Sequence, residues 1–183
     1  MKRHGLTIAA FVWGLAEATL FFIVPDVLLS YIGVKRGPRA AALASLIAAI
    51  GAGGGGALMY LWSRSDPSAA YAAVLAVPAI SAEMAEQAAE AMRDDWFTAT
   101  LLGPLSSTPF KLYAILAPHA GVSLPAFVLA AIAARLPRFV VVSVGAALLA
   151  RALRHRLGER RLIWALAGAW LLFYAVFFTF MPN

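Results

Sequence analysis

Residues 21–33, FFIVPDVLLSYIG, decide how the N-terminal part of the chain is read. Residues 5–34 are apolar but long for a single helix, and Pro25 and Asp26 interrupt them. A proline inside a helix removes one hydrogen bond and clashes with the preceding turn. A carboxylate near the bilayer centre costs about 2.5–3.5 kcal/mol on insertion scales. The segment therefore reads as two half-length helices joined within a membrane, a re-entrant hairpin. Such a break survives only where protein or a water-filled cavity satisfies the freed backbone. The alternative is one spanning helix over 6–24 followed by a surface segment.

The same punctuation recurs in residues 96–122. Gly103, Pro104 and Pro109 break the apolar run around GPLSSTPFK, and Lys111 follows the second proline directly. Three other runs are uninterrupted or nearly so. Residues 40–62 carry no charge, and 162–180 are apolar with tryptophan and tyrosine suited to an interface. Residues 124–150 are long enough to span but hold Arg135, Pro137 and Arg138. At 1.5 Å per residue Arg135 lies about 17 Å from the start of that run, too deep to snorkel readily.

Composition agrees with a membrane setting. The 183 residues are 62% hydrophobic, with a mean hydropathy of +0.81. There is no cysteine, which excludes a disulfide framework and thiolate metal sites. The net charge of +6 falls in short loops rather than on one soluble face, which argues against a nucleic-acid partner. The N-terminus, MKRHGLTIAAFVWGLAEA, has signal-peptide features, but the expectation is that it is retained.

Charge distribution also bears on topology. With two hairpins, Lys2, Arg3, Lys35, Arg36 and Arg39 share a side with the basic stretch 151–161, and that side holds ten of the fifteen Lys and Arg. The stretch 63–95 holds only Arg64 and Arg93, with six of the nine acids. The positive-inside rule then puts the N-terminus in the cytoplasm and the acidic stretch outside. A single helix over 6–24 would split the basic segments between the two sides. Within the acidic stretch, residues 81–95 read as an interfacial helix. Ile80, Met84, Ala88 and Ala91 share one face, and Glu83, Glu86, Glu90 and Asp94 lie on another.

The expected architecture is one all-α membrane domain over 1–183. It comprises a first hairpin and helix (5–62), the acidic outer loop (63–95), a second hairpin and helix (96–150), a basic cytoplasmic loop (151–161) and a C-terminal spanning helix (162–183). The two hairpin–helix units start from opposite sides, the pattern of an inverted repeat whose broken helices meet near the midplane at a transport site. Pro25, Pro109 and Gly121 mark the hairpin turns.

Five charges remain inside apolar segments: Glu17, Asp26, Lys111, Arg135 and Arg138. Intramembrane charges commonly pair, so a structural role in joining the two halves is one reading. Pairing leaves one positive charge in excess, and three bases around two acids suit an anionic phosphate head group. Lys111, Arg135 and Arg138 are then substrate-binding residues, and Glu17 and Asp26 the proton carriers. No metal set, cofactor motif or catalytic signature accompanies them. Ser106, Ser107 and Thr108 have no general base beside them and read as partners for freed backbone groups. The glycine run 51–56 lacks the lysine of a phosphate loop and reads as a helix-packing surface. His119 reads as structural or pore-lining.

The residues Glu17, VPDVLL (24–29), TPFK (108–111) and RLPRF (135–139) resemble the motifs of the DedA family, within the SNARE-associated or VTT-domain membrane proteins. The resemblance covers about residues 10–150 and includes Gly51 to Gly56 and Gly121. Phe22, Val24 and Ser107 stand where the family usually has further prolines, and Ala134 where glycine is common; the charged positions are unaffected. The resemblance implies the two-hairpin inverted repeat and no enzymatic activity. It also implies a flippase or scramblase of the bacterial inner membrane for undecaprenyl phosphate or a phospholipid, coupled to protons or cations. A proton-coupled ion transporter and a non-transporting scaffold are the alternatives, and a homo-oligomer is compatible with the sequence.

Overall fold

The computed structural model describes residues 3–103 and 108–180, and all regular structure among them is helical. The elements are α1 (Arg3–Ala18), α2 (Asp26–Arg36), α3 (Pro38–Ser65), α4 (Pro67–Leu75), α5 (Ala82–Leu102), α6 (Phe110–Leu116) and α7 (Leu124–Phe180). Pro104, Ser106 and Ser107 of the second expected break lie outside the described residues, as does Lys2.

Helix α3 is central and packs on α1, α2, α4, α6 and α7. Its glycines make this approach close. A Cβ on Gly51 would strike the Phe11 carbonyl, one on Gly55 the Leu15 carbonyl, and one on Gly14 of α1 the Ala48 carbonyl. Apolar burial gains little inside lipid, so backbone-to-backbone approach of this kind is what holds such helices together. Across the α3–α7 contact, the buried hydroxyls of Ser45 and Ser143 hydrogen-bond at 2.8 Å. Gly37, at φ 83°, is the whole connection between α2 and α3 and lets the chain reverse.

Helices α3 and α7 are long and apolar enough to cross a membrane. Of the most apolar stretch of α7 only 6% is buried within the chain, against 56% for α3. The core helix of a water-soluble domain would be covered by protein. Here Leu129, Val141, Leu171 and Phe180 face outward.

Several boundaries differ from expectation. The stretch 151–161 is not a loop: α7 continues through it and bends at Gly158, at φ 70° and ψ 161°. Alanine, leucine and arginine favour helix, and no breaker lies between Arg151 and that glycine. Past the bend, the C-terminal limb of α7 folds back, with Leu162 packed against Val34 and Ala150. The outer stretch 63–95 holds an unanticipated helix, α4, capped by Asp66, which accepts from Ala69 N at 3.0 Å. Helix α5 buries Ala85, Ala88 and Met92, with Ile80 just before it, while Glu83, Glu86, Glu90 and Asp94 are exposed. It bends at Asp95, whose carboxylate accepts from Phe97 N and Thr98 N and so caps a second helical segment.

Gly55→Leu is expected to lower the unfolding temperature of the detergent-purified protein sharply, since overpacking costs about 1–3 kcal/mol or more where only backbone can yield. Gly145→Ala, with nothing near its would-be Cβ, is expected to leave that temperature unchanged or raise it.

Candidate functional site

The five charges expected within apolar segments converge. Glu17 lies in the last turn of α1 and Asp26 opens α2; Lys111 is the second residue of α6. Arg135 and Arg138 are three residues apart on α7, a spacing that puts both on one face. Glu17, Asp26, Lys111 and Arg135 are all buried.

Arg135 Nη2 donates to Glu17 Oε1 at 3.1 Å, and Nη1 lies 2.9 Å from Oε2 as an ion-pair contact. Burial of the pair makes the partners interdependent. The guanidinium also sits 4.4 Å from the ring centroid of Phe110. Phe110 stacks on Phe127, and Phe127 on Tyr60, so the cation caps an aromatic column running between α6, α7 and α3. Arg138 donates from Nη2 to Asp26 Oδ2 at 2.8 Å and is part-exposed, at 29% of its side chain.

Lys111 stands apart from these pairs. Its Nζ donates to the Phe21 carbonyl at 2.9 Å, and among the described residues no carboxylate pairs with it. That carbonyl belongs to residues 19–25, the break between α1 and α2. Two other freed groups of the break are met in the same way. Trp13 Nε1 donates to the Ile23 carbonyl at 3.0 Å, and Val24 N donates to the Tyr174 hydroxyl at 2.8 Å. Three backbone groups of the break are thus met by side chains on α1, α6 and α7, as backbone in an apolar setting requires.

A cavity of about 520 Å³ opens beside the cluster. Glu17, Lys111, Arg135 and Arg138 line it, together with residues 77–80 and with Phe173, Tyr174 and Phe177 of the C-terminal limb. Glu17 Oε2, Asp26 Oδ1, Arg135 Nε and Arg138 Nε are buried without a hydrogen-bond partner among the described residues. The cavity can therefore offer an anion the donors left on Lys111, and those of Arg138 once Asp26 lets go.

Pro25 and Pro109 each precede the first residue of a helix, and Gly121, at φ 73°, sits in the turn between α6 and α7. His119 is away from the cluster, its Nε2 3.0 Å from the Ser63 hydroxyl, which itself donates to the Ile115 carbonyl. That is a structural bond. The reading from sequence missed Tyr174, and took Phe110 only as part of the TPFK motif rather than as the ring beside Arg135. The only signal for Tyr174 was a polar tip inside an apolar run, which many packing residues share.

No protein-family model, curated protein or solved structure matches the chain.

Arg135→Ala leaves the Glu17 carboxylate buried alone and is expected to cost about 3–5 kcal/mol of unfolding free energy. Glu17→Ala with Arg135→Ala is expected to cost clearly less than the sum of the single changes, measured by denaturant titration in micelles. Strict additivity would show that the pair does not act as a unit.

Proposed function

We propose that the chain is a multi-pass membrane transporter of DedA type that moves a phosphate-bearing lipid across the bilayer, with Lys111 as the head-group anchor. The observation that carries this reading is the buried lysine on the cavity wall, tied to a carbonyl rather than to a carboxylate. An ammonium has three donors and one is used among the described residues, which leaves two for phosphate oxygens. Arg135 stays with Glu17 as the rigid back wall. Arg138, part-exposed and held by a single bond, exchanges Asp26 for the phosphate.

That exchange supplies the coupling. When Arg138 turns to the phosphate, the Asp26 carboxylate is left in an apolar site, where a charge without a partner is costly. Taking up one proton removes the cost. Head-group binding and Asp26 protonation therefore go together, and release of the lipid returns both the proton and the Arg138–Asp26 pair. No covalent bond is made or broken, which is a transport cycle rather than an enzymatic one.

The helical breaks support a re-entrant reading. α1 and α2 are each short for a bilayer, and the backbone between them is satisfied by side chains from other elements. In this proposal 5–34 and 96–122 are the two hairpins of an inverted repeat in a bacterial inner membrane. The N-terminus lies in the cytoplasm.

One observation favours a second reading. Asp26 keeps an unpartnered oxygen, which suits a site that binds a proton or cation with no lipid carried.

Reconstitution into liposomes tests both. Translocation of a phosphate-bearing lipid by the wild type is expected to fall at least about tenfold in Lys111→Ala, the loss of one charge-assisted contact. Equal rates for both would remove the anchor role from Lys111. Proton-dependent cation flux without lipid movement would establish the second reading.

A further inference from the structure

Past Gly158, α7 meets the rest of the molecule along one stripe. From residue 160 to 180 only Leu162 is buried, and Ile163, Leu166, Trp170, Tyr174 and Phe177 are half-buried. Their spacing of three and four places them on one helical face. The rest of the limb is exposed, including Trp164, Leu171, Leu172 and Phe180. Before the bend α7 is seated more deeply, with Phe127, Ala131, Arg135, Phe139, Ser143 and Ala147 all buried. Yet the lightly seated limb supplies Phe173, Tyr174 and Phe177 to the lining of the charged cavity.

The ties that hold the limb down are few. Next to the bend, Glu159 Oε1 lies 3.2 Å from Lys35 Nζ and Oε2 3.4 Å from Arg154 Nη1, in an exposed setting where ion pairs contribute little. Farther along, Trp170 Nε1 donates to the Ser30 hydroxyl at 3.0 Å, and the Tyr174 hydroxyl accepts from Val24 N at 2.8 Å. The Phe178 ring meets that of Phe22 edge-on, with centroids 5.7 Å apart. Gly158 itself has a φ of 70° and nothing within 4 Å of a would-be Cβ, so no side chain resists rotation there. Tyr174 lies about 24 Å along the helix from that glycine, so a tilt of about 12° moves its ring by about 5 Å.

We infer that the C-terminal limb is a gate on the cavity, hinged at Gly158 and latched by the bond between Tyr174 and Val24 N. What the gate admits rests on the reading of the cavity as a head-group site. Val24 lies in the break between α1 and α2 and lines the cavity, so its N–H has no helical partner to return to. Losing Tyr174 while the cavity is dry leaves that N–H unsatisfied in an apolar setting, which holds the gate shut. An oxygen brought in by water or by a head group takes the N–H in place of the phenol and removes that penalty. Tyr174 thereby makes opening depend on what occupies the cavity. The outward face of the limb is apolar, so its departure opens the charged chamber sideways, toward the hydrocarbon.

The chain has no cysteine, so introduced pairs are the only thiol-labelling sites. Nitroxide labels at Ala76→Cys and Val176→Cys, both exposed, report from beside residues 77–80 and from the limb, the two sides of the cavity. Labels at Leu149→Cys and Arg161→Cys flank the hinge. With the full chain in lipid nanodiscs, double electron–electron resonance is expected to give two distances for the first pair and one for the second. Tyr174→Phe keeps the ring, removes the acceptor, and is expected to raise the longer-distance population about fivefold. If that variant loses folded protein, Ser30→Ala, which frees Trp170, is expected to shift the same population in the same direction. One narrow distance for the first pair, in wild type and variant alike, would overturn the gate. Phe22→Cys with Phe178→Cys, bridged by a reducible thiol cross-linker, is expected to stop translocation of a phosphate-bearing lipid in liposomes until the bridge is cut. Undiminished translocation by the bridged protein would also overturn it. A wild type that moves no lipid while its limb still opens would sink the head-group reading and leave the gate standing.

Discussion

The buried ion pair between Glu17 and Arg135 sets the register of the molecule. Neither charge tolerates burial alone, and both side chains are almost wholly buried. The end of α1 must therefore meet the first turns of α7, across the face of α3. Once it does, the segment that follows α1 is held over α6, Asp26 falls opposite Arg138, and the Phe110 ring lies against the guanidinium. The second ion pair and the aromatic column both rest on that single placement.

Helix α3 makes the meeting geometrically available. Its glycines bring α1 to within backbone contact, and Gly56 lies under the rings of Phe110 and Phe127. A helix with ordinary side chains at these positions would hold α1 too far from α7 for the carboxylate and guanidinium to touch. Side chains this small also lose almost no rotamer freedom on packing, so the approach carries little entropic penalty.

Much of the site was legible in the sequence, because a charge inside an apolar run is costly enough to require a reason. Glu17, Asp26, Lys111, Arg135 and Arg138 all stood out on that ground, and the glycine run was read as a packing surface. Who pairs with whom was not legible. Three bases and two acids allow several pairings, and the choice depends on helix rotation, which the pattern does not encode. Tyr174 was invisible because its partner is a backbone N–H on a distant element. Asp95 looked like one more acid on an exposed helix, yet it caps a new helical segment; only its backbone angles reveal this. The stretch 151–161 was read as a loop from its charge, although helix propensity carries α7 through it to Gly158.

The bond from Lys111 to the Phe21 carbonyl has an unusual asymmetry. A carbonyl does not titrate and belongs to every residue type, so the accepting end is indifferent to acidity and to substitution at position 21. All variation in this tie must come from the lysine. In a genetic screen, loss at Lys111 would then find no suppressor by exchange of the partner side chain, whereas the neighbouring Arg138–Asp26 pair could be restored by a charge swap. One half of the cluster can drift in evolution as a matched pair; the other is pinned at a single codon.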